Sequence, residues 1–261
     1  MNLRPSRRTL LAAFAAMILA APATPARAAF STNLYTAGHA DVSIGYEAGA
    51  LTLSYEFATN AVINGSPLAA GRDVAPGDVT TVVGANVLTT GNAGLPAPFA
   101  GNPLYVLGQT SVGAASRPFL GFGAESIEPN IFVGDTLRLS LVSLAPPAGG
   151  DVVLYTNGSL GSPAINSADG LTSADGIDVF ALGHDHFNLG FTSAGVYDLT
   201  FRASGTLVGG GTLSTTETFR FAVNASPAAV PEPASLAMVG LGLGSVGLFL
   251  SRRKARAGRS G

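Results

Sequence analysis

Three histidines occur in the 261 residues, and two of them stand one residue apart. His184 and His186 lie in GHDHFNLGF (183–191), and His39 lies far upstream in AGHADVSIGY (37–46). Side chains alternate across a strand, so a strand over 184–191 puts His184, His186 and Asn188 on one face, the two histidines about 7 Å apart. Asp185, Phe187, Leu189 and Phe191 take the other face, which is mostly apolar and turns to the core. The same rule gives His39 and Asp41 a common face, opposite Ala40 and Val42. Neutral imidazole binds zinc, copper, nickel or iron, and a carboxylate from Asp41 or Asp185 completes a mixed nitrogen–oxygen set. The chemistry these residues could do is ligation of a divalent transition metal such as zinc, with His39, Asp41, His184 and His186 as ligands. The competing reading is that the histidines are exposed strand residues, or a pair hydrogen-bonded for structure.

The elements that must position these residues read as strands. Sustained helical periodicity is missing from the middle of the chain. Short alternating runs are broken there by glycine, proline, Asn-Gly and Asp-Gly. His39–Tyr46 and Ala50–Phe57 form a hairpin. Pro103–Gly108, Asp135–Leu144, Asp151–Thr156, the histidine strand and the runs VYDLTFRASG (196–205) and TTETFRFAVN (215–224) are further strands. The expected fold is an all-β, immunoglobulin-like β-sandwich spanning residues 30–229 as one domain, with a long irregular middle, Asn60–Asn102.

Composition excludes other chemistries. There is no cysteine, hence no disulfide, thiolate ligand or thiol nucleophile. No G-x-S-x-G elbow is present, so the chain is not expected to be an enzyme. Asp169, Asp175 and Asp178 in SADGLTSADGID could suit calcium, but they follow neither the EF-hand nor the nonapeptide order, and Asp-Gly is first a turn former. Between Phe30 and Val230 five basic residues face fifteen acidic ones, a net charge of −10. Such a body repels phosphates, so nucleic acid is not a partner.

The ends read as addresses. Residues 1–28 have a basic start, an apolar run and a small-residue exit, which is a signal peptide. Arg7 and Arg8 in SRRTLL also resemble a twin-arginine export signal. At the other end an uncharged apolar helix over about 234–250 precedes Arg252, Arg253 and Lys254, a basic cluster that stays cytoplasmic by the positive-inside rule. Pro231-Glu232-Pro233, this transmembrane helix and the basic tail together resemble the PEP-CTERM sorting signal of Gram-negative bacteria, over residues 230–261. The resemblance implies an exported precursor held in the inner membrane. It also implies that an exosortase recognises Pro231, Glu232 and Pro233, removes the tail and passes the protein to the cell surface or extracellular matrix.

A second resemblance covers nearly the whole mature chain. Gly183, His184, His186, Asn188, Phe191, Gly195 and Tyr197 match the pattern of the actinobacterial surface-anchored repeat domain, with Leu189 where that pattern has tryptophan. GHADVSIGYEAGALTLSYE, NPLYVLGQT and FLGFGAESI are similar to the rest of the broader choice-of-anchor M family. This implies a non-catalytic surface module that captures a divalent metal or metal-bearing ligand, beside a metal-type ABC transporter. The alternative is a structural or adhesive matrix protein associated with exopolysaccharide.

Overall fold

The computed structural model describes residues 31, 33–90 and 93–225. In chain order the strands are β1 (Asn33–Glu47), β2 (Ala50–Phe57), β3 (Val62–Ile63), β4 (Ser66–Pro67), β5 (Arg72–Val74) and β6 (Val79–Val83). There follow β7 (Leu88–Thr90), β8 (Pro103–Leu107), β9 (Pro118–Gly123), β10 (Thr136–Ala145), β11 (Val152–Tyr155) and β12 (Ile165–Asn166). The last are β13 (Gly176–Phe180), β14 (His184–His186), β15 (Asn188–Phe191), β16 (Gly195–Thr206) and β17 (Thr212–Val223). Among the described residues no helix is long and apolar enough to cross a membrane. The span expected over 234–250 lies outside the described residues, as do Arg7 and Arg8.

The alternating runs fold as all-β sheets in a sandwich. β1 and β2 pair antiparallel from Ala40↔Phe57 to Glu47↔Ala50. Both loop residues, Ala48 and Gly49, have positive φ (49° and 83°), the requirement of a tight two-residue hairpin turn. Leu51, Leu53, Tyr55 and Phe57 fall on the buried side of β2. One layer runs β13-β10-β16-β17-β6 and takes in the start of β1; the second half of β1 pairs with β2 and β9 in the facing layer. The strand turns from one layer to the other at Gly38, where φ is 85° and a Cβ would stand 2.0 Å from the Asn60 carbonyl oxygen. Only glycine fits there. Edge-on aromatic pairs close the core between the layers: Tyr55 with Phe219 at 4.9 Å and Phe122 with Phe201 at 6.1 Å. A smaller sheet, β12-β11-β15-β8-β7, carries a separate cluster around Phe99, Leu104, Val153 and Tyr155.

The middle of the chain is more regular than its sequence suggests. Five strands, β3 to β7, lie within Asn60–Asn102. β6 is central, running parallel to both β1 and β17. Its sequence, VTTVV, shows no alternation because both faces are covered, and a strand buried on both sides carries a continuous β-branched run. The Thr81 hydroxyl hydrogen-bonds the buried Tyr55 hydroxyl at 2.7 Å. At the start of β16 the Tyr197 hydroxyl accepts from the Ser193 N–H and donates to the Ser193 carbonyl, both at 3.0 Å. This is the tyrosine corner seen in Greek-key sandwiches.

Candidate metal centre

The cluster is assembled by three neighbouring strands. β9 lies between β1, to which it is parallel, and β14, to which it is antiparallel. The register sets His39 beside Phe119, Asp41 beside Gly121 and Ser43 beside Gly123. From the other side His186 faces Gly121 and His184 faces Gly123. All these residues share one face of the sheet. The two glycines leave the middle strand bare, so side chains from both flanks lean over it. A Cβ on Gly121 would lie 1.9 Å from Asp41 Oδ1 and 2.9 Å from His186 Cε1, and one on Gly123 would lie 2.9 Å from the His184 Cβ.

One ring nitrogen from each of His39, His184 and His186 falls within 4.8 Å of the others. Their ring centres form a near-equilateral triangle, 5.7 Å for His39–His184 and 5.2 Å for the other two sides. Three imidazoles on one tetrahedral ion, with metal–nitrogen bonds of about 2.0–2.1 Å, put ring centres about 5.2 Å apart. Each histidine has an oxygen near one ring nitrogen. His184 Nδ1 lies 2.6 Å from Glu125 Oε1, and His186 Nδ1 lies 3.1 Å from the Leu120 carbonyl oxygen. A carbonyl only accepts, so His186 Nδ1 carries the proton and Nε2 keeps its lone pair. His39 Nε2 lies 3.4 Å from Asp41 Oδ1. These two atoms are buried and neither has a hydrogen-bond partner, with Asp41 only 2% exposed. A polar atom buried in that state is costly, and a cation would relieve the carboxylate.

The electrostatics set His184 and His186 apart. Burial lowers the His186 pKa, the positive charges of His39 and His184 add to this, and the Leu120 bond and Asp41 oppose it only in part. For His184 burial acts in the same sense, but the Glu125 hydrogen bond and the charges of Asp41, Glu125 and Asp185 together raise the pKa. Phe119 stacks on His186 with ring centres 3.9 Å apart and 8° between the planes, and forms an apolar wall on that side.

Of the four ligands expected from sequence, His39, His184 and His186 meet, and Asp41 stands beside them. Asp185 lies on the opposite face of β14 and reaches the cluster only through its charge. The histidine strand does not run on to Phe191. It breaks at Phe187, where the chain passes from β9 to a different sheet, so β15 pairs with β8 and β11. Asn188 is therefore turned inward and buried, accepting from the Gln109 N–H and donating to Asn157 Oδ1. Glu125 went unnoticed in the sequence. It groups with Asp41 and His184 as a second set of candidate ligands within 4.8 Å. The signal is Gly121 and Gly123 two residues apart, a stretch of strand face without side chains just before an acid. Asp169, Asp175 and Asp178 serve local structure instead. Asp175 accepts from the N–H groups of Asn166 and Thr172, Asp169 accepts from the Asn166 amide, and Asp178 pairs with Arg138.

At the C-terminal end, residues 229–254 match the PEP-CTERM protein-sorting motif. The match contains Pro231, Glu232, Pro233, Arg252, Arg253 and Lys254, all outside the described residues. It marks an exosortase-sorted extracellular protein of a Gram-negative bacterium, exported as a membrane-anchored precursor, with exosortase as its sorting partner. No curated protein and no solved structure matches the chain at a significant level.

Proposed function

We propose that the body is a non-catalytic surface module of the choice-of-anchor M kind that captures a divalent transition metal, zinc first among them, or a ligand carrying one. The observation that carries this reading is the three-histidine triangle backed by buried Asp41 Oδ1 and His39 Nε2, neither of which makes a hydrogen bond. Donor chemistry supports it too: imidazoles with a carboxylate suit zinc, copper or nickel better than magnesium or calcium, which take oxygen shells. On this reading His39, His184 and His186 hold the ion, Asp41 supplies the neighbouring negative charge, and a metal-type ABC transporter receives it. The other reading, a matrix or adhesive protein associated with exopolysaccharide, draws on the surface address alone.

Isothermal titration of the chelator-stripped protein with zinc separates the two. Metal capture gives a saturable 1:1 isotherm that is lost in His184→Ala, a substitution at a partly exposed side chain. A protein that gives no binding heat with zinc, copper or nickel leaves the matrix reading in its place.

A further inference from the structure

We infer that Glu125 is a positioning residue of the metal centre: its carboxylate holds the His184 ring in the ligating orientation. This rests on the metal reading above and adds a residue with a defined task to it. The need for such a residue follows from where His184 sits. β14 is three residues long and pairs with β9. The His184 side chain is one-third exposed, so packing alone leaves its ring free to turn.

Three features aim Glu125 at it. The carboxylate is 2.6 Å from Nδ1, a charge-assisted distance, and a carboxylate accepts, so the Nδ1 proton is fixed there and Nε2 is left for a ligand. The backbone ties the two residues together. The Ala124 N–H donates to the Gly183 carbonyl at 2.9 Å, and the Leu182 N–H donates to the Ala124 carbonyl at 3.0 Å. Glu125 thus directly follows Ala124, the residue that clamps the entry to β14. Gly123 clears the ground between them: a Cβ there would stand 2.9 Å from the His184 Cβ and 3.7 Å from the Glu125 Cγ. A carboxylate on the outer nitrogen of a ligating imidazole fixes its tautomer and raises its basicity, and loss of such a partner weakens metal binding about 10–100-fold.

The test uses the full-length protein and zinc itself. Glu125→Ala is expected to weaken zinc binding by about 10–100-fold. Glu125→Gln is expected to recover part of this loss, because its amide oxygen still accepts from Nδ1. In a His184→Ala background, Glu125→Ala should change zinc affinity no further. The ring-nitrogen NMR signals of the metal-free protein add a readout that a merely structural role would not move: the Nδ1-protonated form of His184 dominates in the wild type and is lost in Glu125→Ala, at an unchanged melting temperature. Wild-type zinc binding matched by Glu125→Ala overturns this assignment alone. A wild type that binds no zinc overturns it together with the metal reading.

Discussion

Gly121→Ala puts the assembly of the centre to its sharpest test. The added methyl would lie 1.9 Å from Asp41 Oδ1 and 2.9 Å from His186 Cε1. Heavy atoms rest about 3.5–4.0 Å apart, so the carboxylate must retreat by more than about 1.5 Å and the ring by roughly half an ångström or more. Asp41 is 2% exposed, so its carboxylate must move among buried neighbours. Overpacking of this kind costs about 1–3 kcal/mol. For a body near 200 residues each kcal/mol lowers the melting temperature by about 2–4 °C, so the metal-free variant should melt about 2–12 °C below the wild type. The effect on zinc should be larger, because ligand distances tolerate only about ±0.2 Å and a displacement several times that breaks the set; at least a tenfold loss is expected. Gly161→Ala is the control, since nothing lies within 4 Å of its added methyl, and it should stay within about 0.5 kcal/mol. Circular dichroism melts and zinc titration read both quantities. A Gly121→Ala protein with the wild-type melting temperature and zinc affinity would refute the claim that Asp41 and His186 converge over a bare strand.

Zinc at a hundredfold excess over its Kd should stabilise the protein by about 2.7 kcal/mol, reversibly with chelator and not in His39→Ala, as read by melts with and without metal. Tyr197→Phe removes both hydrogen bonds to Ser193 and should cost about 1–2 kcal/mol, seen as a lower denaturant midpoint at constant slope. Burial raises the pKa of Tyr35 and of Tyr55 far above the ordinary 10.0. The unfolded chain therefore releases these protons first, so this contribution to stability is complete below pH 10 and falls as pH rises beyond it; tyrosinate absorbance should appear for these two only as the sheet signal is lost.

The share of this legible in the sequence was set by how far each signal travels along the chain. His39 and Asp41 share a face because alternation within β1 is local and the strand is regular through them. The pairing of His184 with His186 was readable for the same reason. The break at Phe187 was not, because the polar–apolar alternation continues through it while the pairing partner changes, and pairing is a property of distant residues. β6 escaped notice because VTTVV has no period of two, and a short apolar run does not say whether its faces are covered. Glu125 is 59 positions from His184. The side-chain-free face at Gly121 and Gly123 lies just before it in sequence, but only the register of β9 against β14 gives that signal a meaning.

That long-range assembly also decides what an ion would do to the protein. The candidate ligands come from a strand near the start of the body and from a three-residue strand near its end, joined through β9. In the unfolded chain His39 and His186 are separated by so many residues that no site exists, so binding free energy becomes folding free energy. A chain with no cysteine has no disulfide to tie these parts together. An ion between β1 and β14 would take that place, anchoring the short strand to one that runs through both layers of the sandwich. Capture and rigidity are then one event: the ligand closes a long loop whose closure entropy is already met in the folded state.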